Sequence, residues 1–72
     1  MIFNERLKLL RKEKGLTQVQ AAEVLDINYR HFQRLEADGN TPNYANLCQI
    51  AEFFDVSIDY LVGRTDVREI AR

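Results

Sequence analysis

The 72-residue chain is 46% hydrophobic and 29% charged, with three Gly, one Pro, one Cys and a net charge of −1. This is the composition of one small globular domain, with too few turn residues for a many-stranded fold and no strand-like alternation. A lone Cys48 excludes an intramolecular disulfide and a cysteine-built metal site, and no apolar run approaches the ~18 residues of a membrane helix.

The leading segment interleaves its charges with apolar residues at helical spacing and has no continuous hydrophobic core of a signal peptide, so a cytoplasmic protein is expected. Phe3, Leu7, Leu10 and Lys14 share a stripe with Arg11 at its edge, which predicts a first helix over 4–14. Gly15 stops it in the left-handed conformation. Thr17 and Gln20 fit a capping box, in which each side chain caps the other's backbone N–H. The second helix then runs through Ala21 and Ala22 to Leu25. Asp26-Ile27-Asn28 makes a short break in which Asp26 can take a positive φ. Asn28 caps a third helix from Tyr29 to about Ala37.

Residues 38–43 form the one real loop. Asn43 caps a fourth helix over 44–54, with Leu47, Ile50, Ala51 and Phe54 on its inner face. Ser57 caps a short fifth helix over 58–62, ended by Gly63. The polar stretch 64–72 either adds a helical turn or stays mobile. The expected architecture is an all-α, compact five-helix bundle: a domain over 1–63, then a polar tail over 64–72.

Two short helices joined by about three residues form the geometric core of a helix-turn-helix, here from Thr17 to Ala37. At 100° per residue, Tyr29, Arg30, Gln33 and Arg34 share one face of the third helix, while Phe32 and Leu35 point the other way. Arg can bind guanine O6 and N7 in bidentate fashion, Gln can do the same with adenine, and Tyr can meet a thymine methyl or a phosphate. A face selected for solubility alone would usually carry Glu or Lys.

The stretch from Leu16-Thr17-Gln18 through Phe32-x-x-Leu35-Glu36 and Pro42 to Val56-Ser57-Ile58-Asp59-Tyr60-Leu61, led by 6–15, resembles the phage-repressor/Cro-like (XRE) helix-turn-helix family. The joint spacing of these pieces over residues 5–66 carries the resemblance. It implies a lambda-repressor-like five-helix domain that regulates transcription, as a repressor, by binding a pseudo-palindromic double-stranded DNA operator as a homodimer, one that forms fully only on DNA. It implies base-reading positions at Asn28, Tyr29, Arg30 and Arg34, with Gln33 beside them. Phosphate contacts are implied at Gln18, Asn40, Thr41 and Asn43, and an internal ion pair between Arg11 and Glu36. No cofactor is expected. The chain departs from the family at Asp26, where Gly is usual, and at Val19 and Val24, which are more often polar. Its loop also lacks the Lys or Arg often found there.

Charge is the awkward property. Residues 1–37 carry seven Lys/Arg against five Asp/Glu, a net of +2, and residues 38–72 carry three against six, a net of −3. Screening confines the field that matters for phosphate to roughly 8–10 Å, so the basic half can bind DNA within an acidic chain. The rival reading is a protein-interaction module on the same fold, antitoxin-like or regulator-binding, favoured by the acidic balance and by exposed Val19 and Val24. An enzyme has no candidate site. His31 has no partner at metal or catalytic spacing, and Cys48 reads as a small hydrophobe. The fifth helix and the tail, with Tyr60 and Val62, are the expected self-association surface.

Overall fold

The computed structural model describes residues 2–37 and 42–70. Five helices follow in order: α1 (Ile2–Glu13), α2 (Gln18–Val24), α3 (Tyr29–Glu36), α4 (Tyr44–Phe54) and α5 (Ile58–Leu61). No strand occurs among the described residues. The all-α, five-helix expectation therefore holds, with bounds shifted by a residue or two. α1 begins at Ile2, ahead of the expected Asn4, and ends at Glu13. Lys14 leaves the inner stripe and is exposed, its ammonium 5.3 Å from the Phe53 ring centroid. Its stem covers apolar surface while its charge stays hydrated.

Each of α2 to α5 starts at a side-chain cap. Thr17 and Gln20 form the reciprocal capping box. The side chains of Asn28, Asn43 and Ser57 accept from the first-turn N–H groups of α3, α4 and α5, which would otherwise lack partners.

Four helix ends, those of α1, α2, α4 and α5, share one closure, whereas α3 ends at Ala37 in extended backbone. Gly15, Asp26, Asp55 and Gly63 have positive φ of 70°, 53°, 55° and 86°. Each lies inside a paired bond: Leu16 N–H to the Arg11 carbonyl, Ile27 to Ala22, Val56 to Ala51 and Arg64 to Asp59, at 2.8–3.2 Å. The left-handed residues themselves donate to Lys12, Glu23, Glu52 and Tyr60. This is the Schellman arrangement, which satisfies the last carbonyls of a helix and reverses the chain sharply. In three cases the next residue, Leu16, Ile27 or Val56, turns back onto the core. Asp55 was not anticipated from the sequence, because Asp favours this conformation much less than Gly.

The core gathers Phe3, Leu7 and Leu10 from α1, Phe32 and Leu35 from α3, Ile50 and Phe54 from α4, and Leu61 from α5. Ala21 and Ala22 are buried in α2 and let it cross α3 closely.

Residues 64–70 fold back over α1 and α5 without a further helical turn. Arg6 donates to the carbonyls of Tyr60 and Thr65 and to Asp66. Arg68 binds both Glu13 oxygens at 2.8 Å, and its carbonyl accepts from Ser57 N–H at 2.8 Å. The Tyr60 ring lies against the Arg6 and Arg68 guanidiniums at 4.2 and 5.3 Å. Tyr60 is consequently only 5% exposed. This corrects its expected place on a self-association surface, while Val62 stays 37% exposed.

Hydrogen bonding from Arg68 holds the Glu13 carboxyl below its ordinary value. A depressed carboxyl contributes stability that is present above its unfolded-state pKa and is lost as pH falls through the lowered value. The tie between α1 and residue 68 should therefore persist at neutral pH and weaken only in acid. Acid titration of Glu13→Gln against the unsubstituted protein, followed by circular dichroism, should show that component missing.

Asp26 offers a second test. Asp26→Gly should stabilise the fold by about 0.5–1 kcal/mol by relieving left-handed strain, and Asp26→Ala should destabilise it. Urea melts that order the two variants the other way would contradict this turn geometry.

Candidate nucleic-acid interface

α3 is amphipathic in the expected sense. Phe32, Leu35 and Glu36 are buried, and Tyr29, Arg30, Gln33 and Arg34 are exposed together on the opposite face. Among the described residues neither arginine pairs with a carboxylate. Gln33 donates through Nε2 to the Tyr29 hydroxyl at 3.0 Å, joining two of the expected base readers into one polar unit. Asn28, the fifth, gives its side-chain oxygen to the N–H groups of Arg30 and His31 at 2.9 and 3.3 Å. Only its amide nitrogen remains available to an outside partner.

Behind this face lies a polar junction of three helices. Arg11 of α1 reaches Glu36 of α3 through two bonds, Nε to Oε2 at 2.6 Å and Nη2 to Oε1 at 3.2 Å. Nη1 of Arg11 donates to the Leu16 carbonyl at 2.8 Å. The pair is nearly dry, with side chains 10% and 2% exposed. Gln18 of α2 is half-buried and donates from Nε2 to Glu36 Oε1 at 2.9 Å. Sequence reasoning placed Gln18 at the DNA backbone and missed this inward tie. One of its amide hydrogens is already committed.

Asn43 is exposed at the start of α4, its oxygen accepting from Asn46 N–H at 2.8 Å. Asn40 and Thr41 lie outside the described residues. Val19 and Val24 are 46% and 53% exposed, and a shallow depression beside Val19 is bordered by Glu23, Asp26, Asn28 and Tyr29. Negative charge thus sits at the α2 end of the face and positive charge along α3. His31 is half-buried, its Nε2 3.3 Å from Asn46 Nδ2, a polar link from α3 to α4. Gln49 ties α4 to the end of α2 by donating to the Leu25 carbonyl. Among the described residues no group of His, Cys, Asp and Glu could hold a metal, and no helix is long and apolar enough to cross a membrane.

The family profile described as helix-turn-helix matches residues 7–61. The chain belongs to the XRE-type helix-turn-helix family. This XRE-type domain is 36% identical over 67 residues to the HTH-type transcriptional regulator ImmR of Bacillus subtilis, covering 93% of the chain and 53% of the relative. It is 38% identical over 71 residues to the HTH-type transcriptional activator BcrR of Enterococcus faecalis, covering 99% and 35%. It is 36% identical over 64 residues to the cryptic phage CTXphi transcriptional repressor RstR of Vibrio cholerae, covering 89% and 57%. The chain thus spans about half or less of the length of these relatives. No solved structure matches it. The family is one of DNA-binding transcriptional regulators, not enzymes.

Burial of the Arg11–Glu36 pair sets the cost of breaking it. Removing one partner of a buried pair leaves the other charge uncompensated and costs about 3–5 kcal/mol, far above an exposed pair. Glu36→Ala should fall in that range in denaturant melts. Arg11→Ala combined with it should lose much less than the sum of the two single losses; additive losses would mean the two groups do not interact.

Proposed function

We propose that this domain binds a specific double-stranded DNA site by laying α3 into the major groove, and that it represses transcription from a pseudo-palindromic operator. One observation carries the reading: Tyr29, Arg30, Gln33 and Arg34 stand exposed on one helix face with both guanidiniums unpaired among the described residues. These groups match the donor and acceptor edges of the major groove. Asn28 joins them through its amide nitrogen. In this reading Gln18 and Asn43, with Asn40 and Thr41, rest on the sugar-phosphate backbone and fix register without reading sequence.

Repression is favoured by the likeness to the repressor RstR, although the activator BcrR is as similar. A single helix as short as α3 reads few base pairs. Useful specificity therefore favours two copies on half-sites ~10–10.5 base pairs apart, with Val62 on the surface between them and the protein working in the cytoplasm. Exposed Val19 and Val24 favour the second reading, a protein partner gripped by the same fold.

Selection from a randomised duplex pool supplies the operator. Arg30→Ala should then weaken operator binding by about 1–3 kcal/mol and relax the preference at one base pair. Binding to scrambled DNA at the same salt should change less, because only the general cation contribution is lost there. A variant that keeps the wild-type ratio of operator to scrambled affinity would remove Arg30 from base reading. If no sequence is enriched from the pool, the protein-partner reading takes precedence.

A further inference from the structure

The buried ion pair and the expected backbone contact share one side chain, Gln18. We propose that Glu36 is a positioning residue for DNA: by holding the Gln18 amide nitrogen, it fixes that amide so that its second N–H is presented to a phosphate. This rests on the DNA-binding reading above and adds to it a role for a carboxylate that cannot itself approach a phosphate.

The chemistry leaves little freedom. A carboxylate only accepts hydrogen bonds, so it must be met by the nitrogen of the Gln18 amide and not by its oxygen. Glu36 has a lone pair to give. Its Oε2 takes the short 2.6 Å bond from Arg11, while Oε1 receives the longer 3.2 Å one and accepts Gln18 at 2.9 Å. Each Nε2 carries two hydrogens, and the second has no partner among the described residues. A phosphate, too, only accepts. An untethered glutamine would present oxygen or nitrogen outward with similar ease and would lose rotamer freedom on binding. Here that ordering is complete before DNA arrives.

Arg11 makes the arrangement tolerable to DNA. It neutralises Glu36 within the fold, so the carboxylate orients Gln18 without repelling the backbone. The pair then has two effects, one on the fold and one on grip, and these can be separated. Replacing a buried ion pair by apolar residues of similar volume often preserves stability, so Arg11→Met with Glu36→Met removes the tether while filling its space.

The test measures affinity for a labelled mixed-sequence duplex at fixed salt, for wild type, Gln18→Ala, the Arg11→Met/Glu36→Met variant and the triple variant. Urea melts give the folded fraction of each. Gln18→Ala should weaken binding roughly 3- to 10-fold, the weight of one hydrogen bond. The Met pair should weaken it by part of that factor, and adding Gln18→Ala to it should cost less than the same substitution costs in wild type. Additive losses, or a Met pair that binds as wild type while Gln18→Ala does not, would overturn the positioning role.

If Gln18→Ala binds as wild type while Arg30→Ala loses operator preference, DNA reading stands and this inference falls. If wild type itself fails to bind the duplex, both fall. Should the Met pair not fold, the side-chain amide of Gln18 in wild type decides. Its two Nε2 proton signals, assigned by their loss in Gln18→Ala, should be distinct from those of a free glutamine and move when DNA is added. Signals at free-glutamine positions in both states would overturn the tether.

Discussion

A single carboxylate organises this domain. Glu36, at the last turn of α3, is 4% exposed, and a buried charge is tolerated only when it is paired and hydrogen-bonded. Its partners come from two other helices, Arg11 from α1 and Gln18 from α2. Three helices must therefore converge on one group in one geometry. A buried pair is weak grounds for claiming net stability. Its larger effect here is directional, since burial of Phe32, Leu35 and their neighbours is non-directional and would tolerate small rotations of α3.

In the proposed reading rotation matters, because α3 is short and would meet DNA by its outer face. Successive side chains lie 100° apart, so a modest roll of the helix would replace Arg30 and Arg34 at the centre of that face with residues from its flank. The Arg11–Glu36 bonds, the Asn28 cap and the Asp26 turn all act on this same degree of freedom. The Schellman closure at Asp26 sets the angle at which the chain leaves α2, Asn28 fixes where α3 begins, and Glu36 pins its far end. The result is a rigid polar edge on a domain whose net charge is −1. In the proposed reading, binding to a polyanion would draw on the two local guanidiniums and not on bulk charge.

Much of this was legible in the sequence because it rests on local rules. Thr17 with Gln20, Asn28, Asn43 and Ser57 announce helix starts through their own side chains, and Gly15 and Gly63 announce ends. The outward set Tyr29, Arg30, Gln33 and Arg34 follows from helical period alone. The illegible parts are those created by tertiary contact. Gln18 looks like any polar first-turn residue until α2 and α3 cross and bring it to Glu36. Tyr60 looks like an exposed aromatic until Arg6 and Arg68 close over it. Asp55 hides a left-handed helix end behind a residue whose usual place is elsewhere. Arg11 and Glu36 became a pair through resemblance to a family, since a separation of 25 residues leaves no periodic trace.

In the proposed reading the exposed face of α3 is the surface that meets DNA, held in place from behind by Glu36. The most direct test of that reading is a nitrogen-15 spectrum of the protein titrated with a duplex carrying the selected site. The backbone signals of residues 28–34 and the side-chain signals of Arg30, Gln33 and Arg34 should move together. Those of α5 facing the fold-back at residues 64–70 should stay in place or move only as a second copy binds. Signals that shift instead at Val19 and Val24, with the α3 arginines unmoved, would contradict the account and place the working surface on α2.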